Sequence, residues 1–88
     1  MIQREVSIKN RAGLHTRPAA SLVKLAAKFK ADFFIEKDGI EINGKSIIGV
    51  MTLAAEQGSK LRIRFSGEDE EEASRAVNDL IDRGFDEK

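Results

Sequence analysis

The chain has a single histidine, His15, set in Gly13-Leu14-His15-Thr16-Arg17-Pro18 directly ahead of a segment with helical periodicity. A neutral imidazole offers a ring nitrogen with a free lone pair, and the start of a helix offers unpaired N–H groups and about half a positive charge. An anion beside His15 is therefore expected to be held by the backbone N–H groups of Thr16 and Arg17. Arg17 adds guanidinium donors whose fork matches phosphoryl oxygens. Nucleophile, backbone anion site and arginine together suit accepting and handing on a phosphoryl group, because positioning and charge stabilisation are most of what that transfer requires. In an arbitrary sequence a lone histidine near a helix start is more often a solvated or capping residue, so the chemistry needs further support from the rest of the chain. Metal binding lacks it, since there is no second histidine and no cysteine. Acid–base hydrolysis lacks it too, since no acidic residue lies within eight positions of His15.

The elements that must position these residues follow from periodicity. Ile2, Arg4, Val6 and Ile8 alternate with polar residues, as in a half-buried strand. From Thr16 the period changes: Ala19, Leu22, Val23 and Ala26 mark one helical face, with Pro18 in the first turn, and the helix is expected to reach about Lys28. Phe33-Phe34-Ile35 and Ile40-Glu41-Ile42 flank Asp38-Gly39, a hairpin signal. Leu61, Ile63 and Phe65 alternate with Lys60, Arg62 and Arg64, giving a strand with one basic, wet face. Ala73, Ala76, Val77, Leu80 and Ile81 mark a last helix stopping near Gly84, and Glu68 to Glu72 read as its solvated first turn. Between hairpin and last strand, Ser46 is placed as the N-cap of a short helix. On a helical wheel Val50, Leu53 and Ala54 share one arc, while Ile47, Ile48, Met51, Thr52 and Ala55 share the other. Only one arc can face a sheet, so this short helix is expected either to be unusually buried or to carry a docking patch. The order of elements predicts an α+β domain with a mostly antiparallel sheet covered on one face by helices, and leaves the sheet order open.

Composition narrows the function classes. The 88 residues are 41% hydrophobic and 34% charged, which suits one globular domain over residues 1–88. The absence of cysteine excludes disulfides and fits a reducing cytoplasm. The opening Met-Ile-Gln-Arg-Glu has no apolar signal core, and no stretch predicts membrane insertion. Fifteen basic and fifteen acidic residues cancel, and there is no Tyr or Trp, which speaks against a nucleic-acid partner. The cancellation hides an asymmetry: residues 1–30 carry a balance of +6 and residues 67–88 one of −6. A basic N-terminal third on a neutral protein suits steering one acidic partner protein onto one face.

The segment Asn10-Arg11-Ala12-Gly13-Leu14-His15-Thr16-Arg17-Pro18-Ala19-Ala20 resembles the active-site segment of HPr, the histidine-containing phosphocarrier family of the bacterial phosphoenolpyruvate-dependent sugar phosphotransferase system. Gly44-Lys45-Ser46-Ile47-Ile48-Gly49-Val50-Met51 resembles that family's second signature, at the family's spacing. The resemblance covers the whole chain. It implies an HPr-like open-faced β-sandwich, a four-stranded antiparallel sheet with three helices on one face. It implies that His15 takes a phosphoryl group on Nδ1 from enzyme I and yields it to enzyme IIA proteins, with Arg17 attending the group and no cofactor. It implies that Ser46 matches the serine modified by an HPr kinase/phosphorylase, and that Ile47, Ile48 and Met51 dock partners of a monomeric protein. Two positions depart from many sugar-branch members of Gram-positive bacteria, which have Met at Ile48 and Gly at Ala54. The run Leu53-Ala54-Ala55 is closer to HPr-like proteins of other bacteria, including regulators of the nitrogen-related branch.

Overall fold

The computed structural model describes residues 1–87. In chain order these form β1 (Ile2–Ser7), α1 (Thr16–Ala26), β2 (Asp32–Lys37), β3 (Ile40–Asn43), α2 (Ile47–Thr52), β4 (Lys60–Ser66), α3 (Glu70–Asp82) and a short 3-10 turn (Gly84–Asp86). The strands make one antiparallel sheet in the order β1-β4-β2-β3, the arrangement that the sequence left open. Alternation along β2 and β4 places Phe33, Ile35, Leu61, Ile63 and Phe65 under the helices, all buried. The register sets Ile35 opposite Ile63 and Phe33 opposite Phe65, whose rings stack with centroids 4.7 Å apart. Ala19, Leu22 and Ala26 of α1 and Ala73, Val77, Leu80 and Ile81 of α3 close the core from above. Burying each large side chain there contributes about 1.5–3 kcal/mol. The opposite face is polar: Arg64 lies 5.0 Å over the Phe34 ring and 2.9 Å from the Glu41 carboxylate. This is the open-faced sandwich expected, with its hairpin turning at Asp38 (φ 51°) and Gly39 (φ 84°).

Three details differ from the sequence reading. α1 ends at Ala26 rather than near Lys28. Beyond it the chain tightens, with Lys28 and Phe29 donating to the carbonyls of Leu25 and Ala26 three residues back. The acidic run is more than a solvated turn. Asp69 accepts hydrogen bonds from the Lys30 and Ala31 N–H groups at 2.9 and 2.8 Å, tying the α1–β2 connection to the start of α3. The third concerns α2, where Val50 and Leu53 are buried as expected but Ala54 is exposed and Ala55 buried. The helix stops at Thr52, and Ala54 takes φ 48°, which breaks the helical phase and exchanges the two alanines between faces. Ile47, Ile48 and Met51 keep the exposed face assigned to them.

Two predictions follow from this packing. Val50→Glu places an unpaired charge in the core and should unfold the domain, whereas Ile48→Glu should shift the thermal midpoint only slightly; equal losses in thermal melts would show that α2 is buried on both sides. The Asp69 carboxyl is held below its usual range, first by the Lys30 N–H and also by that of Ala31. A depressed folded pKa contributes stability that is present above the unfolded value of about 3.9 and is lost as pH falls through the folded one. In melts of the wild type and Asp69→Asn, the gap in midpoint should therefore be constant above about pH 5 and close progressively below about pH 4.

Candidate functional site

His15 is the N-cap of α1, with φ −77° and ψ −178°, and its carbonyl accepts the Ala19 N–H at 2.9 Å. Three residues stand between that carbonyl and its donor. Pro18 has no N–H, so the orphan donors of the first turn are those of Thr16 and Arg17, and neither reaches an acceptor among the described residues. The His15 side chain is exposed and does not cap its own helix. An anion beside the ring thus meets two free backbone donors and the positive end of an eleven-residue helix.

The segment before His15 is fixed from both sides. Asn10, 5% exposed, donates from Nδ2 to the Gly13 carbonyl at 2.8 Å and to the Glu87 carboxylate at 2.9 Å. The Gly13 N–H returns to the Asn10 carbonyl at 3.2 Å, and the His15 N–H to the Gly13 carbonyl at 2.9 Å. Leu14 is buried, and its N–H donates 2.8 Å to the Ala55 carbonyl just beyond α2. Gly13 has φ 72°, and a Cβ there would overlap the Ala55 carbonyl oxygen. Both the conformation and the close approach therefore require glycine. Ile8 pairs with the next turn through Gly58 and Ser59, at 2.8 and 2.9 Å. The histidine loop and the exit of α2 are in effect one stitched unit.

That stitching places His15, Thr16, Met51, Ala54 and Glu56 around one shallow depression of about 360 Å³. Arg17 is not among them. It lines a neighbouring depression of about 680 Å³ with Arg11, Ser21 and the C-terminal residues Phe85 to Glu87, and Ala12 borders both hollows. Ser46 caps α2 by accepting the Gly49 N–H at 3.2 Å. Its loop is pinned by Lys45, whose Nζ donates to the Phe29 carbonyl at 2.8 Å and whose N–H donates to Asn43 Oδ1 at 2.8 Å. Ile48 is 78% exposed, Met51 43% and Ile47 37%, and of these three Met51 reaches the histidine's hollow. Sequence reasoning missed Glu56 and the structural part of Asn10. No local signal marks Glu56, which comes beside His15 only through the Gly13–Ala55 contact.

The chain matches the family model described as the PTS HPr component phosphorylation site over residues 2–83. It is 42% identical over 87 residues to the phosphocarrier protein HPr of Xylella fastidiosa, covering 99% of this chain and 98% of that one. The crystal structure of HPr-C-His from Thermoanaerobacter tengcongensis superposes with a TM-score of 0.96 at 44% identity, over 100% of this chain and 99% of that one. Crh of Bacillus subtilis, the catabolite repression protein whose crystal structure shows a swapped dimer, superposes with a TM-score of 0.77 at 39% identity, over 96% and 97% of the two chains. Two signatures, a shared fold and identity over nearly the full length point the same way: the chain belongs to the HPr phosphocarrier family of the phosphotransferase system.

Proposed function

We propose that this protein is a monomeric cytoplasmic carrier that accepts a phosphoryl group on His15 from phospho-enzyme I and passes it to enzyme IIA proteins in sugar uptake. One observation carries the reading. His15 stands exposed at the start of α1 beside two N–H groups that no acceptor among the described residues uses. The lone pair of its ring nitrogen forms the new N–P bond as the N–P bond to the donor breaks, and the ring keeps its other N–H. Thr16 and Arg17 N–H then hold phosphoryl oxygens. The Arg17 guanidinium, next along the helix and lining the adjoining hollow, is free to swing toward the added charge. Partners dock on the apolar patch of Ile47, Ile48 and Met51, which borders the same hollow at Met51. No helix among the described residues is long and apolar enough to cross a membrane.

Ser46 is read as a regulatory site for an HPr kinase/phosphorylase. It is exposed and adjoins Ile47 and Ile48. A phosphate there brings about −1.5 to −2 charges to the edge of an apolar contact and toward any acidic partner surface. A second reading keeps the site and changes its outlet: an HPr-like regulator of the nitrogen-related branch. It is favoured by Leu53-Ala54-Ala55, where an alanine occupies φ 48°, a conformation in which glycine carries no steric penalty.

Incubation with enzyme I and phosphoenolpyruvate should add one phosphoryl group, labile in acid and stable in base, and His15→Ala should abolish it. Acid-stable label persisting in that variant excludes His15 as the acceptor. Arg17→Ala should fold normally and slow transfer, by less than the roughly 10²–10³ lost with a preorganised oxyanion donor, because the site is wet. Ser46→Asp should keep the helix cap and raise the apparent KM for enzyme I at low salt, with the effect shrinking as salt screens it. Equal KM values at both salts would leave Ser46 as a cap alone.

A further inference from the structure

Glu56 has no place in the reading above, and its position is unusual. Among the residues that line the His15 hollow it is the only acidic one. Its backbone is fixed against the histidine loop: the Glu56 Cα lies 2.9 Å from where a Cβ on Gly13 would stand. The turn that follows is locked as well, with the Glu56 N–H donating to Ser59 Oγ at 3.0 Å and its carbonyl accepting the Ser59 N–H at 2.9 Å. The side chain is exposed, and its carboxylate forms no ion pair among the described residues. The arginines nearest in sequence to His15, Arg11 and Arg17, line the neighbouring hollow, beside Asp86 and Glu87. A phosphoryl group on His15 therefore shares its hollow with one acidic residue whose carboxylate has no ion-pair partner among the described residues.

We infer that Glu56 tunes the phosphoryl-transfer potential of His15, its carboxylate opposing the charging of the histidine and favouring discharge of the phosphorylated form. The inference rests on His15 being the phosphoryl acceptor. Its physical basis is like-charge repulsion. The phosphoryl group brings its negative charge into a site where Glu56 already carries one, and the unphosphorylated protein has no such conflict. Both groups are open to solvent, so the effect is moderate and sensitive to salt. Glu56 thus offsets part of what the Thr16 and Arg17 N–H groups contribute, which suits a carrier that must release its cargo as readily as it takes it. It also favours acceptors that set a cation opposite this rim.

Phosphoramidate tests this without any protein partner. The His15 lone pair attacks phosphorus, the P–N bond of the reagent breaks, and ammonia leaves with the bonding pair. Wild type, Glu56→Gln and Glu56→Lys are charged with phosphoramidate, freed of reagent and followed as they decay, with phosphohistidine read by phosphorus NMR. The ratio of charging to decay rates should rise about two- to fivefold in Glu56→Gln at low salt, rise further in Glu56→Lys, and converge on wild type at about 0.5 M salt. Acid-labile phosphohistidine forming and decaying at the same rates in all three proteins overturns the role of Glu56 and leaves His15 as acceptor. Absence of phosphohistidine from all three overturns the acceptor reading itself, and the role of Glu56 with it. Thermal melts of the variants, expected to match wild type for an exposed residue, confirm that rate differences arise at the site.

Discussion

The close backbone approach of Gly13 to Ala55 and Glu56 is the constraint on which the site depends. It brings the loop before α1 against the exit from α2, and the Leu14 N–H to Ala55 carbonyl bond seals it at 2.8 Å. Any side chain at residue 13 meets the Ala55 carbonyl and must also adopt φ 72°. Met51, Ala54, Ala55 and Glu56, which line the His15 hollow from the α2 side, arrive through this contact. A larger residue at 13 would therefore push the histidine loop away from the exit of α2.

α2 depends on its surroundings in the same way. Six residues are too few for a helix to hold itself together in water. Its stability comes from Val50 and Leu53 in the core, from the Ser46 cap, and from the Lys45 ammonium anchored on the Phe29 carbonyl in the α1–β2 connection. Close to that anchor, Asp69 takes the N–H groups of Lys30 and Ala31. The α1–β2 connection is thereby joined to the entrances of both other helices by three charge-assisted hydrogen bonds. Ile47, Ile48 and Met51 can stay exposed because α2 is held by its other side and its flanks.

At the histidine the balance of charge is local. The helix start and its two N–H groups, free among the described residues, attract an anion, and Arg17 lines the adjoining hollow. Glu56 lines the same hollow from the α2 side. The chain's overall neutrality conceals this arrangement.

His15, the free N–H groups of Thr16 and Arg17, the Ser46 cap and the apolar patch on α2 were legible in the sequence, because each follows from residue type and short-range spacing. The family signatures lie in the same segments. Strand identity was legible for the same reason, since alternation records which face of each strand is buried. The sheet order was not, because β1 and β2 each pair with β4 through contacts that leave no local pattern. The exchange of Ala54 and Ala55 between faces was hidden because a helical wheel assumes one unbroken period, and φ 48° at Ala54 breaks it. The hollow that Arg17 shares with Phe85 to Glu87, the tether made by Asp69 and the approach of Glu56 are decided by tertiary packing alone. They join segments far apart in the chain, and only the fold determines which side chains such segments bring together.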